Sequence, residues 1–361
     1  MSRVPLPEFP SRVPESQSES RLAAIRREAA DKGMVHGAGV LPIGAPFPKA
    51  TPENGYYGVP LLKEPQWKSE VPLYFFVGGA AGAAAVIANT ASWLSDDPEL
   101  VRSARWVAAG GGVLSSALLI SDLGVPSRFL NMLRVFKPQS PMSMGAWTLS
   151  AFSSFSAASA FANLMRQRLG NSIPARIIEN AAGALAAATG LLMSSYTGVL
   201  IGATVIPVWN NNIGTLPIHF AASGMSSAVS ILELLGAGES RALNLLGIGA
   251  CAYEVYEGFE LESKRDRVNE PLHKGWNGAI VRAGGVLSGP VSLGLRVAYA
   301  FTGNRTLRRA AAWSSLAGSL FTRYGWVHAG RESARDHRIP LELGEDMGEI
   351  RSTSRQLAKL A

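Results

Sequence analysis

The sequence holds a single cysteine, Cys251, in 361 residues. One thiol allows no disulfide within the chain, and it excludes a cysteine-ligated iron–sulfur cluster or a cysteine-rich zinc site. Histidine is scarce too: His36, His219, His273, His328 and His337 are scattered, and only His219 and His328 lie near apolar segments. A bis-histidine haem inside a membrane needs paired ligands on facing helices, which this distribution does not supply. The expectation is a chain with no metal or haem of its own. Charge is sparse, with Asp, Glu, Lys and Arg at 17% against roughly 25% in ordinary globular domains. There is no GxGxxG in a strand–helix context, no Walker loop, no HExxH and no nucleophile elbow. No internal repeat supports an inverted-repeat transporter. The first 50 residues lack the apolar core of a signal peptide and read as an exposed tail, with a short helix around 20–32. The net charge of +7 does not point to nucleic acid, because the basic residues sit in loops and tails beside apolar blocks.

Those blocks dominate the chain. Apolar stretches cover about 71–94, 105–121, 142–164, 181–209, 213–235, 242–259, 279–301 and 307–327, separated by short charged loops. Crossing the hydrocarbon takes about 20 apolar residues at 1.5 Å each. Eight helices apolar on every side are not credible in a water-soluble chain of this length. The expected fold is therefore an all-α integral membrane protein of about eight transmembrane helices in bundles, with both termini on one side. Its expected divisions are a polar tail and interfacial segment over 1–70, the membrane domain over 71–328 and a charged tail over 329–361. Gly and Ala are concentrated inside the blocks, as close helix packing in lipid requires. Gly78-Gly79 and Gly110-Gly111-Gly112 read as such contacts rather than as a phosphate loop.

Three segments carry more than hydropathy. The approach to the first span reads YYGVPLLKEPQWKSEVPLYFFVGGAAGAAA over 56–85, where Pro60, Pro65 and Pro72 keep the chain extended and Trp67 and Tyr74 suit an interfacial belt. The second, SDLGVPSRFLNMLRVFKPQSPMSMGAW over 121–147, joins the second and third spans. Asp122 there is a helix cap, a partner for Arg128, or an ionisable group poised as a proton relay. The third, SSYTGVLIGATVIPVWNNNIGTLPIHF over 194–220, puts Tyr196 inside a span. A phenol within the bilayer seeks a hydrogen-bond partner in the protein or in a ligand.

Together these segments resemble the NrfD family, the membrane subunits of polysulfide-reductase-type complexes. The likeness is carried by YGVP…W…PLYFFVGGAAG, DLGVPSRF…FKPQSPMSMGAW and SYTGVLI…PVWN. It covers about 56–220 well, and the rest through span count. The resemblance implies an eight-helix, multi-pass protein of the inner (cytoplasmic) membrane that binds quinone, menaquinone or ubiquinone, as substrate. It also implies two partners, a [4Fe-4S] iron–sulfur subunit and, beyond it, a molybdopterin catalytic subunit. Tyr196 falls on the family's intramembrane Tyr, and the quinone-pocket positions at the start of the first helix fall near Glu70 and Tyr74. Familiar relatives carry Asn and His there, so this chain, with Glu and Tyr, departs from the pattern in its detailed quinone contacts. Asp122 falls on the acidic residue that opens the second motif, a proton-handling position. His219 is a second relay candidate, since an imidazole exchanges protons at physiological pH.

Quinone chemistry couples two electrons to two protons, so the membrane partner must supply an apolar cleft, hydrogen bonds to both carbonyls and a proton route to water. Electrons must reach a cluster on another subunit. The basic loop with Arg128, Arg134 and Lys137, and the turn from Asn210 to Leu216, would form the docking surface for it. Two other classes remain: a passive anchor that binds no quinone, and a transporter, which would need polar residues deep in several spans. Lys and Arg near the spans vote weakly for cytoplasmic termini, while the resemblance implies the opposite side.

Overall fold

The computed structural model describes residues 62–336, apart from 96, 124, 171–172 and 237–239, together with Ala24, Arg27, Glu28 and Asp31. Those four are helical and fall in the stretch where the sequence predicts a short helix. The rest of the N-terminal tail as far as residue 61, and the C-terminal tail from residue 337, lie outside the described residues.

Among the described residues all regular structure is helical. Eight long helices succeed one another: α1 (Glu70–Leu94), α2 (Pro98–Asp122), α3 (Pro141–Leu169), α4 (Ile173–Gly202), α5 (Leu216–Leu234), α6 (Arg241–Ser263), α7 (Gly275–Thr302) and α8 (Arg305–Arg335). Each of the eight apolar blocks has its own helix. A boundary difference that reshapes a loop is at α4, expected to continue to Trp209. The helix stops at Gly202, and a separate short helix, Pro207–Asn211, follows. Pro207 has no N–H to donate and restarts the helix as its first residue. The Asn210 side chain ties the break together by donating to the carbonyls of Gly202 and Thr204, both at 3.2 Å.

Four helices, α1, α2, α4 and α7, are long and apolar enough to cross a membrane by length and composition. α1 carries no charged residue after Glu70 and is the central member, packing on α2, α4, α5 and α8. Its most apolar stretch is 78% buried, against 33% in α2 and in α7. Small residues allow this. A Cβ on Gly82 would lie 3.0 Å from the Ser194 nitrogen of α4, and one on Gly224 of α5 would lie 2.8 Å from the Gly79 carbonyl oxygen. Backbones approach that closely only where side chains are absent. Of the glycine triplet, Gly111 and Gly112 press on Ala81 and Ser153, whereas Gly110 faces open space.

The later helices carry polar residues on their inward faces. The sequence suggests spans largely free of deep polar residues, and α5–α8 depart from that. α5 buries His219, Ser223, Ser226, Ser227, Ser230 and Glu233 at helical spacing. Facing it are Ser315, Ser319 and Arg323 of α8, Cys251 and Glu254 of α6, and Ser288, Ser292 and Arg296 of α7. Many of these side chains bond one another. Arg323 donates to Ser223 (2.7 Å) and Ser319 (2.9 Å), Ser226 bonds Ser315, and the Cys251 thiol donates to Ser292 (3.4 Å). Arg296 donates to both oxygens of Glu233 (2.9 and 3.0 Å) and to Ser230 (3.0 Å). Outward, the same helices expose Phe259, Tyr256, Trp313 and Phe321. Charges inside and aromatics outside is the arrangement of a helix bundle solvated by lipid.

The two four-helix groups, α1–α4 and α5–α8, meet where α1 and α4 pack on α5 and α1 packs on α8. α7 changes pitch at Leu287–Val291, where Pro290 forces one π-helical turn. At one end of the bundle the loops interlock. Trp67, which the sequence suits to an interfacial belt, stacks on Trp209 with ring centroids 5.1 Å apart. The Trp209 Nε1–H donates to the Trp326 carbonyl at 2.7 Å, and Arg335 forms a two-pronged ion pair with Glu64 at 2.8 and 3.0 Å. The approach to α1 and the end of α8 therefore meet at this end.

Candidate functional site

The interlocked end also carries most of the residues singled out from the sequence. α1 begins there, and its first turn sets Glu70 and Tyr74 one above the other at i and i+4. Glu70 is half-buried and accepts a 3.3 Å hydrogen bond from the Ser69 hydroxyl. Tyr74 is buried, at 2% exposure. α2 runs back to the same end, and Asp122, its last residue, accepts the Lys68 backbone N–H at 3.3 Å. That bond fixes a carboxylate two residues from Glu70, with the side chain still reaching the surface.

Tyr196 comes from α4, six residues before its end, so it lies less than two turns from the loop rather than the three expected for a longer helix. Its ring lies against Gly145 of α3, where a Cβ would come 2.7 Å from the ring carbon Cε1. The Tyr196 hydroxyl is buried, and although the Gly145 backbone is close it makes no well-formed hydrogen bond to it. Tyr74 and Tyr196 are near enough to interact electrostatically. Around Gly78 converge the Tyr74 ring, the Ser115 hydroxyl of α2 and the Met193 methyl of α4. Ser115 Oγ is a second buried hydroxyl with no protein partner. α1, α2, α3 and α4 thus all contribute to one cluster: two phenols and a hydroxyl among apolar groups, with Glu70 and Asp122 toward the surface. Sequence reasoning missed Ser115, Met193 and Gly145, because only the helix crossing brings them to the phenols.

His219 does not join this cluster. It belongs to a cavity of ≈ 410 Å³ bounded by α5–α8. The two groups are linked through Phe75 and Phe220, whose rings pack 6.3 Å apart beside Tyr74 and His219 respectively. Arg128, Arg134 and Lys137 are exposed in the loop between α2 and α3, and Asn210 is exposed in the loop between α4 and α5. Both loops belong to the end that holds Asp122, and Val125, Leu130, Val135 and Phe136 are exposed beside the basic residues.

Residues 63–241 match the family model described as polysulphide reductase, NrfD. Over this segment the chain belongs to the NrfD family. The matched segment contains α1 through the start of α6, and with it every member of the phenol cluster and both loops of the basic face. NrfD-family proteins are membrane subunits of polysulphide-reductase-like complexes and work with iron–sulfur and molybdopterin subunits. No curated protein matches the chain. The chain is a membrane protein with several apolar helices, and the match ends where α6 begins, before most of the polar α6–α8 region.

Proposed function

We propose that this NrfD-family chain is the quinone-binding membrane subunit of a multi-subunit oxidoreductase, exchanging electrons between the quinone pool and a docked [4Fe-4S] subunit that serves a molybdopterin catalytic subunit. The observation that carries the reading is the buried, partnerless Tyr196 hydroxyl beside Tyr74, on the face that also presents Asp122 and the basic loop. A buried hydroxyl without a partner costs about 1–3 kcal/mol, and a quinone carbonyl accepting from it would remove that cost. In this reading Tyr196 and Tyr74 orient the ring, and Ser115 offers a further hydroxyl. Glu70 and Asp122 carry protons to the surface at Lys68. Arg128, Arg134, Lys137 and Asn210 meet the iron–sulfur subunit. The electrons pass to that partner, because with one cysteine this chain has no thiolate set for a cluster of its own. Eight crossings of the inner membrane, with both ends of the chain on one side, complete the reading. Apolar side chains exposed along the long helices and the Glu64–Arg335 pair support it.

The test is Tyr196→Phe in the assembled complex. Quinone turnover should fall about tenfold to a hundredfold, as the loss of one hydrogen bond of about 1–3 kcal/mol requires. Reduction of an artificial dye by the partner subunits should be untouched. Equal quinone turnover in the variant would reject the pocket.

A further inference from the structure

The cavity among α5–α8 lies apart from the phenol cluster and is built as a site in its own right. Its walls are almost wholly apolar, including Val255, Leu261, Leu272, Val281 and Trp326. Of the polar side chains that line it, Glu262 pairs with Arg282 and Thr322 bonds the Gly318 carbonyl; the other three are all more than nine-tenths buried, His219 at 7% exposure, Glu254 at 2% and Glu257 at 5%. Each has atoms that no protein group satisfies. Both ring nitrogens of His219, Oε1 of Glu254 and Oε2 of Glu257 are buried without a hydrogen-bond partner. The other oxygen of Glu254 accepts from Ser288 at 2.6 Å, which holds that carboxyl in place. A cluster of buried, partnerless polar atoms in an apolar chamber is costly to maintain. Bound ligand atoms would remove the cost.

The outer rim shows the route of access. Phe259 of α6, Val286 and Pro290 of α7 line the cavity and are also exposed on the outward face of the bundle, with Phe259 at 74%. In a lipid-solvated bundle that face meets acyl chains, so the chamber communicates sideways with the bilayer. Pro290 sits within the π-helical turn of α7; such turns are often found at functional sites. From Glu254 to Glu262, where the Glu262–Arg282 pair closes one end, α6 advances about 12 Å. A volume of ≈ 410 Å³ lies within the usual range for small-molecule pockets of roughly 300–1,000 Å³.

We infer that this cavity is a second ligand site, taking from the bilayer a lipophilic molecule whose head carries hydroxyl donors. The chemistry follows from the wall: carboxyl oxygens accept O–H donors, the imidazole donates or accepts, and apart from Thr322 and the Glu262–Arg282 pair the rest is apolar. A hydroquinone and a hydroxyl-headed lipid such as a diacylglycerol share that chemistry and differ only in source. The inference does not depend on the Tyr74–Tyr196 pocket, which lies in the other helix group.

The experiment uses the full chain in lipid nanodiscs and a photoreactive alkylphenol, with adducts mapped by peptide mass spectrometry. Adducts are expected on 254–262 and 281–290. Competition by decylhydroquinone or by dioctanoylglycerol supports the site and names its source. Gly285→Phe should lower labelling of these peptides by about tenfold, equivalent to roughly 1.4 kcal/mol, by filling the chamber. It should fold, because a Cβ at Gly285 meets no atom within 4 Å. Gly249→Phe, equally open but not lining the cavity, controls for bulk and should label normally, as should Tyr196→Phe. Equal labelling by the methyl ether of the probe, which has no donor, would overturn the inference. So would labelling that Gly285→Phe leaves unchanged.

Discussion

Arg296→Met, with Glu233 left in place, should destabilise the bundle by about 3–5 kcal/mol, the usual cost of stranding one charge of a buried pair. Both side chains are essentially inaccessible, and the guanidinium supplies two hydrogen bonds to Glu233 and one to Ser230. Arg308 also acts electrostatically on that carboxylate, so the loss should lie toward the lower end of that range. The cavity left by the guanidinium adds to the loss, since Gly247 of α6 is pressed against it and a Cβ there would sit 2.6 Å from Nη1. Thermal inactivation in detergent, followed by the fraction of monodisperse protein, reads the effect. The partner experiment is Arg296→Met with Glu233→Leu, which removes both charges of the pair and should recover part of the loss, since Arg308 also acts on Glu233. A single variant as stable as the parent would mean that the pair is not buried between α5 and α7.

Gly82→Val is the second large effect, expected at the upper end of the roughly 1–3 kcal/mol seen for overpacked cores. The new side chain would run into the Gly190 carbonyl and the Ser194 N–H, which are helix backbone and cannot rotate away. α1 and α4 would have to separate, and Tyr74 and Tyr196 ride on those two helices. Both stability and quinone turnover should therefore fall, in contrast to Tyr196→Phe, which should lower turnover alone. Gly110→Ala is the matched control: it lies in an apolar helix of the same group but faces open space, so its thermal midpoint should stay within the range of ordinary surface changes. If Gly82→Val behaved like Gly110→Ala, the close α1–α4 crossing would be wrong.

Some of this was legible in the residues themselves. Hydrophobic length and the scarcity of charge announce a membrane chain, because crossing the hydrocarbon demands about 20 apolar residues whatever the neighbours are. The eight blocks correspond to eight helices because helix formation in such a segment is local. The three motifs point to the NrfD family, and four residues apart on one helix is enough to align Glu70 with Tyr74. Even the charges within α5–α8 had a visible signal: Glu233, Glu254, Glu257, Arg296 and Arg323 interrupt apolar blocks, and ionisable groups in such places mark internal sites.

What the chain's order along one dimension could not decide is which faces meet. Asp122 reaches Lys68 because α2 returns to the end where α1 begins, and Tyr196 reaches Tyr74 because glycine pairs let α4 lie against α1. His219 sits close to Tyr196 in sequence yet in another chamber, because α5 turns its polar stripe toward α6–α8 and away from α1. Hydropathy averages over a helix circumference, so a polar inner stripe and an aromatic outer face cancel in it; only packing separates them. Composition and local periodicity therefore determined the membrane class and the helices, and the three motifs carried the resemblance to the family. The tertiary structure decided which polar groups share a chamber, since that depends on helix crossings between residues far apart in the chain.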